Sequence, residues 1–162
     1  MLKKKKSLQI TSFARLHFGF LDLNKENKKS FGGLGLSINK FKTVINISKY
    51  HKLDIKGNET KRALGFVKKF CRKNKIKPDF SINIIRSTPQ HVGLGSGTQL
   101  ALAIGVGISK LNNLNINPLE IAKTMDRGNR SLIGTTSFIK GGFIIDKGIN
   151  ENKNPSFLSV NF

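Results

Sequence analysis

Cysteine, acidic side chains and long apolar runs are all scarce in this chain of 162 residues. The single cysteine, Cys71, excludes an internal disulfide framework and a multi-cysteine zinc site, and it fits a reducing compartment. The longest apolar run, Leu100 to Ile108, is far shorter than the ~20 residues that cross a bilayer. The basic start, Lys3 to Lys6, is not followed by the apolar stretch of a signal peptide. We therefore expect a cytoplasmic protein with no membrane partner.

The shortage of acids leaves a strong positive charge, because 29 Lys and Arg against nine Asp and Glu give +20. Such a charge attracts polyanions, so a basic nucleic-acid-binding module is one candidate function. The lysines are scattered, however, and few aromatic side chains lie between them as stacking platforms, which favours non-specific binding of nucleic acid only.

The six arginines are placed more informatively than the lysines. Two of them, Arg62 and Arg72, fall on a plain amphipathic helix. The other four fall in or beside glycine-bearing motifs: Arg15, Arg86, Arg127 and Arg130. Because a guanidinium presents a planar fork of donors, this placement suggests binding of phosphate or carboxylate.

Hydrophobic periodicity predicts strands in the first part of the chain and helices interleaved later. Strands are expected over 7–23 with a bend at Gly19, and over 36–38, 41–48, 53–56, 79–86 and 138–146. Helices are expected over 58–74 with Asn58 as N-cap, over 98–111, and over 117–127 between Asn117 and Gly128. Cys71 lies on the apolar stripe of the first helix, as a packed residue would. This order indicates one α+β domain.

The strongest local signal is a glycine-bearing loop between a predicted strand and a predicted helix, from Pro89 to Thr98. Its alternate glycines, Gly93, Gly95 and Gly97, allow positive φ angles and a close approach of the backbone to a ligand. The loop leads into a helix N-terminus, where free N–H groups and the helix dipole favour phosphate. The spacing matches neither the mononucleotide P-loop nor the dinucleotide G-x-G-x-x-G fingerprint. A tight strand-to-helix turn without a ligand is the alternative interpretation.

The string Pro89-x-x-x-Gly93-Leu94-Gly95-Ser96-Gly97 resembles the phosphate-loop motif of the GHMP superfamily. Four longer segments narrow the resemblance to the N-terminal half of its β-ribofuranosylaminobenzene 5′-phosphate synthase family. They are ARLHFGFLDL at 14–23, GGLGLSI at 32–38, QHVGLGSGTQLALAIG at 90–105 and RSLIGTTSFIKGGFIID at 130–146. The resemblance implies a ribosomal-protein-like GHMP N-terminal domain over residues 1–162, with a mixed or antiparallel sheet and helices packed on one face. The family is about twice this length, so we expect the C-terminal GHMP domain to be absent.

The reaction implied by the resemblance joins phosphoribosyl diphosphate to 4-aminobenzoate, or to another 4-substituted benzoate, with loss of pyrophosphate and carbon dioxide. It serves the biosynthesis of tetrahydromethanopterin-type cofactors. The resemblance also implies Mg²⁺, a homodimer or a complementing C-terminal half as partners, and two small-molecule substrates, phosphoribosyl diphosphate and aminobenzoate.

The same resemblance implies roles for particular residues. Phosphate is expected on the loop, at Gly93, Leu94, Gly95, Ser96, Gly97 and Thr98. Arg15, Arg127 and Arg130 are candidates for binding pyrophosphate, the 5′-phosphate or a carboxylate. His17 and His91 are candidate catalytic donors to the leaving group, with a structural histidine as the alternative for each. Asp22 is the candidate metal ligand, with a structural role at a strand end as its alternative.

An ATP-dependent small-molecule kinase of the same superfamily is the alternative enzyme. A kinase would need carboxylates near the loop for Mg²⁺ and for the attacking hydroxyl. Residues 98–117 and 131–145 contain no acidic residue. This composition counts against the kinase and is compatible with the synthase.

Overall fold

The computed structural model describes residues 6–22, 29–150 and 155–160. Within these residues the chain forms six strands and four helices. The strands are β1 (Ser7–Asp22), β2 (Lys29–Lys49), β3 (Asp54–Gly57), β4 (Phe80–Arg86), β5 (Phe143–Asn150) and β6 (Pro155–Val160). The helices are α1 (Thr60–Lys73), α2 (Ser96–Leu111), α3 (Pro118–Thr124) and α4 (Ile133–Ile139). No described helix is long and apolar enough to cross a membrane.

The long strand β2 is the central strand of a single mixed sheet. One of its edges pairs antiparallel with β1. The other edge of β2 pairs antiparallel with two strands. The C-terminal part of β2 pairs with β4, and the N-terminal part of β2 pairs with β5. β3 then adds to β4 in parallel, and β6 adds to β5 antiparallel. The predicted α+β class with a mixed sheet is therefore confirmed.

The helices pack on one face of the sheet because alternate strand residues are apolar and buried. Ile45 and Ile47 of β2 and Ile82 of β4 form one core cluster with the helices, whereas Ile85, on the opposite face of β4, is exposed. α2 lies at the centre and is buried almost all round, as expected for a helix that is apolar on every side. Cys71 is buried in this core, as its position on the apolar stripe predicted.

Three sequence predictions about element boundaries are wrong. The segments predicted as separate strands over 36–38 and 41–48 belong to the one strand β2, and the apparent gap is a shift in its pairing with β1 between Phe13 and Ala14. α1 begins at Thr60 after Glu59, which is left-handed (φ 66°), so Asn58 is not its N-cap. α3 ends at Thr124 rather than Arg127, although its predicted cap Asn117 is confirmed.

The last part of the chain differs most from the prediction. Residues 138 and 139, predicted as strand, end the short helix α4, and β5 starts only at Phe143. The left-handed glycines Gly141 and Gly142 (φ 69° and 71°) make the turn between them. The strand β6 had no sequence signal and forms by pairing with β5. Leu23, the predicted end of the first strand, lies outside the described residues.

Candidate functional site

The glycine loop connects β4 to α2 through three left-handed residues at alternate positions. His91, Gly93 and Gly95 have φ angles of 57°, 74° and 77°. Gly95 is the N-cap of α2, and its carbonyl accepts hydrogen bonds from the N–H groups of Thr98 at 3.1 Å and Gln99 at 3.2 Å. The alternating glycines predicted from the sequence therefore shape a tight turn directly onto the helix start.

β1 holds the loop from one side through Arg15. The Arg15 N–H donates to the Leu94 carbonyl at 3.1 Å, and Arg15 Nη1 donates to the Gly93 carbonyl. A Cβ on Gly95 would lie 3.2 Å from the Arg15 Cγ, so the guanidinium is directly beside the helix start. Arg15 Nε is buried without a hydrogen-bond partner among the described residues, and burial lowers the Arg15 pKa. Arg15, a candidate for binding phosphate or carboxylate, thus lies against the loop.

Two further arginines lie on the opposite side of the helix start. A Cβ on Gly97 would lie 2.6 Å from Arg62 Nη2 and 3.5 Å from Arg127 Cζ. Arg127 was predicted at the site, whereas Arg62 was assigned to a plain amphipathic helix. Arg62 does lie on the amphipathic helix α1, and the packing of α1 against α2 brings the first turn of α1 next to the loop. The sequence offered no local signal for this proximity, because Arg62 and Gly97 are 35 positions apart in the chain.

The start of α2 carries no negative charge of its own. The first turn of α2 contains no acidic residue, and the N-cap Gly95 provides no side-chain hydrogen bond. In the described part of the chain, the N–H groups of Ser96 and Gly97 have no backbone or side-chain acceptor. N–H groups without acceptors, the positive end of a helix dipole and nearby guanidinium groups are together a combination that favours an anion.

His17 lies on β1, two residues after Arg15. Its Nδ1 accepts a hydrogen bond from the Gly19 N–H at 3.1 Å, so the proton of the neutral ring is on Nε2. Burial and the nearby Arg15 charge lower the His17 pKa, and the Asp146 carboxylate opposes them. Near neutral pH, His17 is therefore a neutral ring with an Nε2–H donor.

The other predicted site residues are less closely grouped. Thr98 is half-buried, and its side chain packs against Gly134 of α4. His91 is exposed on the loop, and Arg130 is exposed between α3 and α4. No hydrogen bond or ion pair of the Arg130 side chain occurs within the described ranges. The backbone of Asp22 ends β1, and its side chain lies outside the described residues.

Two buried polar residues that the sequence interpretation missed hold α4 in place, one from β5 and one from the loop helix α2. The Asp146 carboxylate, in a residue only 1% exposed, accepts the Leu132 N–H at 2.7 Å and the Gly148 N–H at 3.1 Å. Gln99 Nε2 donates to the Gly134 carbonyl at 2.9 Å. Asp146 is the last residue of the 130–146 motif. Its position in that motif is the sequence signal that could have indicated its role.

The described residues do not supply a ligand set for the Mg²⁺ that the resemblance implies. Among residues 6–22, 29–150 and 155–160, no three His, Cys, Asp or Glu side chains come together. The carboxylates nearest the site are already engaged, Glu59 by Arg62 and Asp146 by backbone N–H groups.

Comparison with known proteins defines the class. The model of the GHMP kinases N terminal domain matches residues 59–143, and the chain belongs to this family. The beta-ribofuranosylphenol 5'-phosphate synthase of Archaeoglobus fulgidus is 31% identical to it over 156 residues, covering 93% of this chain and 48% of the relative. The protein of the same name from Methanocaldococcus jannaschii is 34% identical over 148 residues, covering 83% of this chain and 45% of the relative. These matches confirm the predicted resemblance.

The structural comparison agrees on the fold. The crystal structure of Methanococcus jannaschii mevalonate kinase matches with a TM-score of 0.67 at 17% identity, covering all of this chain and 57% of that one. The chain also spans about half the length of the curated relatives it matches.

Proposed function

We propose that this chain forms the phosphate-binding half of a synthase that joins phosphoribosyl diphosphate to a 4-substituted benzoate, releasing pyrophosphate and carbon dioxide. The observation that carries the proposal is the start of α2, where two N–H groups without acceptors and no acidic residue lie between Arg15 and Arg127. This arrangement suits a group that gains negative charge as it departs. The names of the relatives support the same reaction class.

The chemistry of the reaction fits a site poor in acids. The bond between ribose C1 and the diphosphate oxygen breaks, and its electron pair leaves with pyrophosphate. The ring carbon that bears the carboxylate attacks C1, and the bond to the carboxylate then breaks, returning its electron pair to the ring as carbon dioxide departs. No proton has to be removed from the ring, so the protein needs no strong base.

The residues of this chain would act mainly on the departing diphosphate. The Ser96 and Gly97 N–H groups and the Arg15 guanidinium donate to its oxygens, and the Ser96 and Thr98 hydroxyls add further donors. His17 offers its Nε2–H from β1, and His91 offers a donor from the loop itself. Such donors act without reorganising during the reaction, because β1 and the first turn of α2 hold them in place.

The identity of the benzoate that accepts the ribose can be inferred from its para substituent. The relatives are named for a phenol product, whereas the sequence interpretation put 4-aminobenzoate first. A hydroxyl para to the attacking carbon enriches it in electrons, as an amino group does. We therefore propose 4-hydroxybenzoate as the preferred acceptor, in a step toward a tetrahydromethanopterin-type cofactor in the cytoplasm. The proposed partner is a homodimer or a separate C-terminal half, and the Mg²⁺ that the resemblance implies would need ligands other than the described residues.

The experiment measures pyrophosphate release from phosphoribosyl diphosphate with each benzoate. The chain is assayed alone and together with the separately produced C-terminal half of the Archaeoglobus fulgidus relative, because this chain spans about half of that protein. We expect release that requires the benzoate, with 4-hydroxybenzoate faster, and loss of release in Gly95→Val. No release under either condition, or equal activity in Gly95→Val, would contradict the proposal.

Two control reactions separate the alternatives that the sequence left open. Transfer of phosphate from ATP to an alcohol would indicate a kinase. RNA or duplex DNA affinity that depends on sequence or structure, and falls with salt at a log–log slope of about −0.9 per phosphate contacted in duplex DNA, would indicate a dedicated nucleic-acid-binding module. We expect neither, because the carboxylates near the loop are engaged and the lysines are scattered along the sequence.

A further inference from the structure

A second basic cleft lies beside the loop, between α1 and the segment that follows α3. Its volume is about 370 Å³, and it is lined mainly by Arg62, Phe66, Lys69, Met125, Asp126 and Arg127. Three of these side chains are cationic and one is anionic, so the lining has a net charge of 3 − 1 = +2. Lys69 contacts Asp126, and Arg62 pairs with Glu59 from outside the lining, which leaves Arg127 without a carboxylate partner among the described residues.

Arg127 is fixed in this cleft while one of its donors lacks a partner. Its Cζ lies 5.3 Å from the centre of the Phe66 ring, and Nε is buried with no hydrogen-bond acceptor among the described residues. Burial, and then the neighbouring Arg62 charge, lower the Arg127 pKa. Two guanidinium groups held near each other repel, and an anion between them would relieve that repulsion.

Arg62 links the cleft to the glycine loop. Its Nη1 donates to Glu59 Oε2 at 2.7 Å, and the Glu59 side chain is only 6% exposed, so this end of the guanidinium is anchored. Its Nη2 lies beside Gly97, at the first turn of α2. A ligand that occupies the start of α2 could therefore extend a second anionic group into the cleft.

We propose that Arg62 and Arg127 form a second phosphate subsite, which binds the 5′-phosphate of the sugar while the start of α2 binds the diphosphate. This assignment rests on the proposed function. The helix start offers several amides and hydroxyls and suits the many oxygens of a diphosphate, whereas the cleft offers forked cations that suit a compact phosphate monoester. The benzoate carboxylate fits the cleft less well, because pairing it with two guanidinium groups would oppose its loss as neutral carbon dioxide.

The test measures the binding of ribose 5-phosphate and of inorganic pyrophosphate separately, by calorimetry with the full chain. In Arg62→Gln we expect the Kd for ribose 5-phosphate to rise about tenfold or more, since a hydrogen bond to a charged group is lost. The Kd for pyrophosphate should rise by a smaller factor, because Arg62 lies beside Gly97 but the amides and hydroxyls of the helix start remain. Arg72→Gln is the matched control, because it removes the same charge from an exposed position on the same helix and should change neither Kd.

A second variant guards against misfolding, because Arg62→Gln leaves the buried Glu59 carboxylate without its partner. The double variant Glu59→Gln and Arg62→Gln removes both charges and should show the same selective loss with a native unfolding curve. Equal losses for both probes, no loss for either, or no binding of ribose 5-phosphate by the wild type would overturn the subsite. Selective loss without any turnover in the benzoate assay would contradict only the proposed function.

Discussion

At the start of α3 the Asn117 side chain accepts a hydrogen bond from the Glu120 N–H at 2.9 Å, whereas at the start of α2 the cap residue is a glycine that can accept none. α3 also has an acidic residue in its first turn, Glu120, and α2 has none. Each helix leaves its first N–H groups without helical partners, and α3 satisfies part of this requirement with its own residues. α2 instead collects arginines around its first turn.

The difference shows that α2 is not optimised for its own stability. A side-chain cap contributes about 1 kcal/mol, and a first-turn acid typically 0.3–1 kcal/mol. Omitting both, and packing cations beside the positive end of a helix dipole, lowers stability unless an anion binds there. The contrast therefore supports an anion at α2 and a purely structural start at α3.

The largest expected effect comes from giving α2 a charge of its own. In Ser96→Asp the new carboxylate would stand at the first position of the helix and occupy the donors meant for the ligand. We expect the Kd for pyrophosphate to rise about 100-fold, from loss of roughly 2.7 kcal/mol, while the melting temperature stays equal or increases. Ser96→Asn is the control, because Asn is nearly the same size as Asp and is neutral. Unchanged affinity in Ser96→Asp would refute an anion site at this helix.

The next effect comes from the shape of the loop rather than its charge. Gly95→Val places a branched side chain at φ 77° and 3.2 Å from Arg15, so we expect about tenfold weaker pyrophosphate binding and a loss of about 1–3 kcal/mol in unfolding free energy. Gly65→Ala is the matched control for stability only, because Gly65 lies in α1 with open space around it but also lines the second cleft. This variant should gain about 0.5–1 kcal/mol. Chemical denaturation and calorimetry measure both. Pyrophosphate binding as tight as in wild type would show that the loop backbone does not contact the anion.

The third prediction concerns α3 and should separate stability from binding. Asn117→Ala removes the cap, so the free energy of unfolding should fall by about 1 kcal/mol, within a range of 0.5–2 kcal/mol, with no change in pyrophosphate affinity. Asn115→Ala, at an exposed position just before the helix, should change neither. A change in pyrophosphate affinity in Asn117→Ala would contradict the assignment of a purely structural role to the start of α3.

The smallest effect concerns the neutral His17 beside the site. Its pKa is lowered in the folded protein, so below the usual value of 6.5 the unfolded chain binds more protons than the folded one. The free energy of unfolding should therefore decrease as the pH falls from 6.5 through the lowered folded value. The decrease should be smaller in His17→Gln, as measured by urea denaturation at pH 7.5 and 5.5. Identical pH dependence in both proteins would contradict this prediction.

Much of the fold was predictable because its signals are local. The alternation in β4, the apolar spacing of α1 and α2 and the Asn117-Pro118 start of α3 all depend on residues within a few positions of each other. The prediction failed where a long-range contact decides the structure. β6 forms only by pairing with β5, and α4 begins where the distant Asp146 carboxylate binds the Leu132 N–H.

The residues of the candidate site likewise divide into those that local sequence signals could indicate and those that only tertiary packing brings to the site. The glycine loop, Arg15 and Arg127 could be singled out because they lie in or beside recognisable motifs. Arg62 could not, because its first-turn position on α1 is ordinary until α1 packs against α2. Arg130 lies inside a motif and yet is exposed, since motif membership does not fix the direction of a side chain.

The sequence alone determined the α+β class, the glycine loop that turns onto a helix and the absence of an acid at that helix start, since these depend on neighbouring residues. Only the tertiary structure decided which cations surround the helix start, because Arg15, Arg62 and Arg127 come from β1, from α1 and from the segment after α3, far apart in the chain. Packing against the shared core brings these elements together, and no local pattern encodes the distance between their side chains.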